Sequence, residues 1–116
     1  MQTFDHIFVG GGHNALVAAA YLSKAGHEVL VIDRNDRVGG FVRSAELTPG
    51  VVNPNSGPGD PYGGAQDLAQ SFALRPISAA PGHRTFVPNL YVLGSGTWPG
   101  AGVSGNSGHI VAQYLL

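Results

Sequence analysis

Apolar and polar positions alternate in a regular way near the two ends of the chain and lose that order between them. Positions 6–9, His-Ile-Phe-Val, form a short β-branched and aromatic run stopped by three glycines, the pattern of a buried strand. In 14–25, Leu16, Val17, Ala20 and Tyr21 are spaced to share one helical face. Lys24 falls in the last turn of that helix and Gly26 closes it. A second β-rich run at 28–32 ends in the polar segment 33–37. The first forty residues therefore predict strand, helix, strand. A crossover of that length is right-handed and makes the two strands parallel neighbours.

Beyond residue 40 the pattern weakens. Positions 41–47 alternate as a strand does, 53–64 (NPNSGPGDPYGG) is a succession of turns, and 65–72 predicts a short helix with Asp67 near its start. Three prolines in 75–88 predict an extended path across the surface. Order returns with an apolar strand at 90–93 and an apolar-faced helix at 107–115, joined by a long glycine-rich connection. The expected organisation is one domain over 1–116. It divides into an N-terminal half (1–50), an irregular connector (51–88) and a C-terminal strand, loop and helix (89–116).

Composition narrows the chemistry. A chain of 116 residues supports a single modest core. A formal net charge of −1 with 11% charged residues leaves no basic stripe for nucleic acid. Cysteine is absent, which removes disulfides, thiolate metal sites and CxxC redox chemistry, so any redox reaction must be carried by a bound cofactor. The apolar start lacks a basic leader and the longest apolar stretch, 15–22, is too short for a bilayer, which leads us to expect a cytoplasmic protein. Eighteen glycines are the anomaly; they cluster without period, where backbone must turn or approach a ligand closely.

Gly10, Gly12 and Ala15 occupy the G-x-G-x-x-G/A positions directly after a strand and before a helix. Gly10 permits the turn, Gly12 lets a pyrophosphate approach, and Ala15 lets helix and strand pack. The helix mouth then offers free N–H groups and about half a positive charge to phosphate, beside His13 and Asn14. Asp33 ends the second strand 21 residues after Gly12, placed to accept the hydroxyl protons of an adenosine ribose. Arg34 beside it could stack on adenine or tolerate a 2′-phosphate, so this loop alone leaves FAD and NAD(P) open. The C-terminal half repeats the idea: a strand runs into Gly94-Ser95-Gly96 and a helix follows 100–105. Two such loops suit one long dinucleotide, and FAD is long and extended.

The segment FVGGGHNALVAAAYLSKAGHEVLVIDRNDRVGG closely resembles the N-terminal FAD motif of phytoene-desaturase-like flavoproteins, of the glutathione-reductase-type FAD fold. NLYVLGSGTWPGAGVSGNSGHIVAQYLL resembles their C-terminal FAD motif, and 60–94 resembles the stretch that precedes it there. The resemblance implies a minimal Rossmann-like FAD-binding α/β domain: a small parallel sheet, ordered 28–32, 6–9, 90–93, with flanking helices. It also implies a chain reduced to its two FAD-contacting ends, because members are several times longer and carry a substrate domain between them. Whether the reduction is natural or deliberate stays open.

Carried over by position, the resemblance gives the pyrophosphate to Gly10, Gly12, His13 and Asn14, and the ribose to Asp33 with Arg34 nearby. Gly39, Gly40 and Phe41 would line the ribityl-diphosphate side. Gly94 and Ser95 would lie along the ribityl chain, with Gly102, Val103 and Ser104 offering backbone to the flavin pyrimidine. Asp33 stands where glutamate is usual, and Trp98 and Ala101 interrupt a GTxPGGG pattern. Trp98 could cover the flavin or anchor a partner chain.

No acid–base pair stands out, so catalytic residues stay unassigned. The expected function is an FAD-binding flavoprotein, with flavin redox activity left open. The alternatives are a non-catalytic assembly protein stabilised by FAD and an NAD(P)-binding module. Loss of a covering domain exposes apolar surface and a strand edge, which predicts a homodimer or larger homo-oligomer. His6, His13, His27, His83 and His109 show no metal-ligand spacing, and no metal is expected.

Overall fold

Phe8 and the small residues of the crossover helix set the core of the molecule. The computed structural model describes residues 1–40, 75–77, 79–100 and 104–116. Strand β1, His6–Val9, pairs in parallel with β2, Val29–Ile32, in a register running from His6 opposite Val29 to Val9 opposite Ile32. Helix α1, His13–Lys24, makes the crossover. Its alanine-rich sequence favours helix and keeps the buried face thin. Ala15, Ala18, Ala19 and Leu22 are buried at the i, i+3, i+4, i+7 positions of a single stripe. The helix stops as expected, with the Gly26 N–H on Ser23 O at 3.0 Å and the His27 N–H on Leu22 O at 3.1 Å.

Helix α2, Asn106–Leu115, lies along α1. Val17 stands against Gly105 and the Tyr21 ring against that of His109, with centroids 4.8 Å apart. Asn14 meets Gly108 at the same junction, so the first turns of the two helices are in contact. Small residues permit this. A Cβ on Gly108 would lie 2.0 Å from the Asn14 carbonyl oxygen, so glycine is required where the helices cross. Phe8, the α1 stripe and Ala112 form the core, with Val29, Val31, Leu93 and Leu115 packed around it. The other side of β1 is open: Ile7 is 59% and Val9 88% exposed.

The sheet is smaller than the sequence predicts. Among the described residues it has two strands, β1 and β2, and 90–93 does not join it. That segment folds back instead on 83–85: Tyr91 forms an antiparallel bridge with Arg84, and the Val92 N–H reaches His83 O at 2.8 Å. The reversal at 86–89 is stitched by Thr85, whose hydroxyl bonds both Val87 O and Leu90 O. Turn chemistry before the apolar run thus captured it as a hairpin arm, with Leu90 and Val92 exposed and only Leu93 reaching the core.

The described residues of 75–88 likewise do not cross the surface as one extended path. β3, Pro76–Ile77, and β4, Ala80–Pro81, pair antiparallel, and Arg75 and His83 on either side are buried. The expected strand at 41–47 and helix at 65–72 lie outside the described residues.

Candidate functional site

The carboxyl end of the sheet carries the first glycine segment. The β1–β2 ladder continues one step past the strands, with the Gly10 N–H on Ile32 O at 2.7 Å. Gly10 then takes φ +98, a conformation that L side chains rarely adopt, and the chain swings into α1. Gly11 is held on both sides. Its N–H donates to Asp33 Oδ2 at 2.6 Å, and its carbonyl accepts the Gly39 N–H at 2.7 Å. Gly12 pairs with Gly39 in an isolated parallel bridge. Gly40 packs so closely that a Cβ there would come within 3.0 Å of Gly12 Cα. The two glycine segments 10–12 and 39–40, read separately in the sequence, are therefore one layered turn.

Two faces of this turn are open. A Cβ built on Gly10 or on Gly12 meets nothing within 4 Å, whereas one on Gly11 would meet Val38 Cγ1 at 2.7 Å. Gly12 is also the N-cap of α1, with no capping side chain and no acidic residue in the first turn. The first helical bond runs from the Leu16 N–H to Gly12 O, so the preceding amides have no intrahelical acceptor. Open space in front of uncapped amides at a positive helix end fits an anionic diphosphate.

Asp33 is more deeply engaged than its sequence position suggests. Besides the Gly11 contact, its Oδ1 accepts the backbone and side-chain N–H groups of Asn35, both at 2.8 Å. The Asn35 and Gly11 backbone donors hold its carboxyl below the usual aspartate range. The charged carboxylate thus clasps the glycine turn to the end of β2. Arg34 beside it is exposed, and His13 Nε2 lies 3.0 Å from Asn14 Nδ2. Phe41 lies outside the described residues.

The second glycine segment is organised by buried polar groups. Ser107 Oγ, on α2, accepts the Gly94 N–H at 3.0 Å and stands 3.0 Å from both Thr97 Oγ1 and His83 Nε2. The Thr97 hydroxyl donates to Gly94 O at 2.8 Å. Arg75 Nη1 donates to Ser95 O at 2.6 Å. Arg75, His83, Thr97 and Ser107 are all buried. Burial pushes the His83 ring below the ordinary histidine pKa, an effect only partly offset by the Trp98 backbone. Its Nδ1 has no hydrogen-bonding partner. Sequence reading missed Thr97 and Ser107 and foresaw no burial of Arg75 or His83, since nothing local marks a polar residue that another segment will bury.

Asn14 joins the two segments: its Oδ1 accepts the Gly108 N–H at 3.1 Å. Ser104 Oγ accepts from the Asn106 N–H at 3.3 Å, so two first-turn amides of α2 already have acceptors inside the protein. Two of the donors expected at the second helix mouth are thus taken up within the protein, whereas the α1 mouth has no capping side chain. Gly102 and Val103 lie outside the described residues. Among the described residues no group of three or more His, Asp or Glu could hold a metal, and no helix is long and apolar enough to cross a membrane.

Known proteins resemble this sequence in part. Residues 9–58 match the model of the NAD(P)-binding Rossmann-like domain. An uncharacterized protein of Mycobacterium tuberculosis is 50% identical over 50 residues, which are 43% of this chain and 9% of that protein. A D-amino acid dehydrogenase of Rhizorhabdus wittichii is 34% identical over 79 residues, 66% of this chain and 18% of the relative. A pyridine nucleotide-disulfide oxidoreductase domain-containing protein of Mus musculus is 43% identical over 47 residues, 40% of this chain and 8% of the relative. The chain thus spans less than a fifth of the length of these relatives. No solved structure matches it. Fold and comparisons together define a small α/β Rossmann-like unit with a glycine turn at the carboxyl end of its two-stranded parallel sheet.

Proposed function

We propose that the chain binds FAD as the nucleotide-binding unit of a flavin-dependent oxidoreductase of the phytoene-desaturase-like kind. The single observation that carries this reading is the junction of the two glycine segments. Asn14, at the mouth of α1, bonds Gly108 in the first turn of α2, so the two cofactor-motif segments share one end of the molecule. An extended dinucleotide would lie with its diphosphate over Gly12 and the α1 amides and its adenosine ribose toward Asp33. The flavin half would run toward Gly94 and Ser95. Bound flavin would supply hydride or electron transfer; these residues would bind and orient it.

NAD(P) alone is the second reading, favoured by the description of the matching domain model and by the exposed Arg34 next to Asp33. The open β1 face, with Ile7, Val9 and Ile32 exposed, supports association into a homodimer or larger homo-oligomer. The visible spectrum of the freshly purified protein separates the cofactor readings. Flavin absorbance that dithionite bleaches is the expected result. A colourless protein that takes up NAD(P) and ignores added FAD would replace it with the second reading.

A further inference from the structure

At the opposite end of the sheet from the glycine turn, two histidines 21 positions apart meet. His6 opens β1 and His27 stands two residues before β2; both are half-buried. His6 Nε2 and His27 Nδ1 share a hydrogen bond at 3.1 Å, one ring donating and the other accepting, with ring centroids 5.1 Å apart and planes inclined by 36°. A metal bound to both nitrogens requires the donating ring to carry its proton on its other nitrogen. Two nitrogens on one tetrahedral zinc, each at about 2.0–2.1 Å, stand roughly 3.3 Å apart. The observed separation is within about 0.2 Å of that.

The pair is held in place by backbone. The N–H groups of Asp5 and His6 both reach Glu28 O, at 2.9 and 3.3 Å, and the Glu28 N–H donates to Asp5 Oδ2 at 2.9 Å. Little conformational freedom therefore remains to be lost when a metal is bound. Asp5 and Glu28 adjoin the two rings in sequence and add negative charge nearby. Neither completes a three-residue metal group with the rings, so water would fill the remaining positions. Imidazole nitrogen selects zinc, copper or nickel, whereas calcium and magnesium need oxygen cages.

We propose that His6 and His27 chelate a divalent transition-metal ion, clipping together the entries of the two parallel strands. This site is separate from the dinucleotide end and does not depend on the FAD reading. In a chelate the second ring binds at a high effective concentration, so two rings together bind about a hundredfold more tightly than one.

The test is a Zn2+ titration of the EDTA-stripped full chain by calorimetry. One Zn2+ per chain is expected, with His6→Gln and His27→Gln each weakening it about a hundredfold and His109→Gln leaving it unchanged. Zn2+ binding that is absent, or equal in all four proteins, would overturn the proposal. Because either variant could unfold, the unaltered chain is also followed by NMR with substoichiometric Cu2+. Selective broadening of the His6 and His27 rings is expected, and broadening spread evenly over all five histidines would count against the site.

Discussion

The side-chain oxygen of Asn14 accepts the backbone N–H of Gly108 at 3.1 Å, joining residues 94 positions apart where two helices cross. Asn14 is buried, and a Cβ on Gly108 would overlap its carbonyl oxygen. This crossing sets the spacing between the two glycine segments, and every functional expectation below depends on it.

Asn14→Ala removes the acceptor and leaves a buried N–H unpaired, at a cost of about 1–3 kcal/mol. Gly108→Ala forces the helices apart, and overpacking of this kind costs about 1–3 kcal/mol or more. Urea unfolding should show both losses. It should also show less than additive loss in the double variant, since the two changes disrupt one contact.

Gly12→Ala should separate stability from binding. Its φ of −70 is ordinary and its Cβ would enter open space, so unfolding should shift by no more than about 0.5 kcal/mol. That Cβ would occupy the space in front of the α1 amides, and FAD affinity should fall at least about tenfold, or 1.4 kcal/mol. Gly11→Ala should instead destabilise, because Val38 and Asp33 crowd its Cβ.

Asp33 predicts an acid limb in the stability profile. Its carboxyl is depressed in the folded state by the Asn35 and Gly11 donors. The stabilisation is present above the unfolded value near 3.8 and is lost as pH falls through the lower folded value. Asp33→Asn should flatten this part of the profile and weaken FAD binding, both read by denaturation and titration across pH.

His83 predicts a second pH dependence at higher pH. Burial lowers its pKa from 6.5, so the folded state resists a proton that the unfolded chain accepts. Stability is full above about 6.5 and declines as pH falls below it. Unfolding free energies between neutral and mildly acid pH should slope downward in the native protein and lose most of that slope in His83→Gln. Because His83 holds Ser107, and Ser107 holds Gly94, the same acidification should loosen FAD.

The strand, helix, strand unit was legible because its signals are local: β-rich runs, helical spacing, Gly26 as a stop. The buried face is nonetheless Ala15, Ala18, Ala19 and Leu22 rather than Leu16, Val17, Ala20 and Tyr21, because close packing on Phe8 and α2 selects the small side chains. Boundaries at β1 and near α1, β2 and α2 differ from the expected ones by a residue at most. The run 90–93 misled because its apolar content suits a sheet strand, while the competing hairpin depends on Thr85 and Asn89, the latter at φ +62. The resemblance put Gly39 and Gly40 only on the ribityl-diphosphate side of a ligand, and their layering on Gly11 and Gly12 needed the fold. The buried set of Arg75, His83, Thr97 and Ser107 had no sequence signal, because each is buried by a segment distant in the chain.

The most direct test is equilibrium dialysis of FAD against the native chain and its Gly12→Ala variant at neutral pH. One FAD per chain is predicted, with affinity reduced in a variant that keeps its unfolding midpoint. Equal retention by both proteins, or none by either, would mean that the open face above Gly12 is not where a dinucleotide sits.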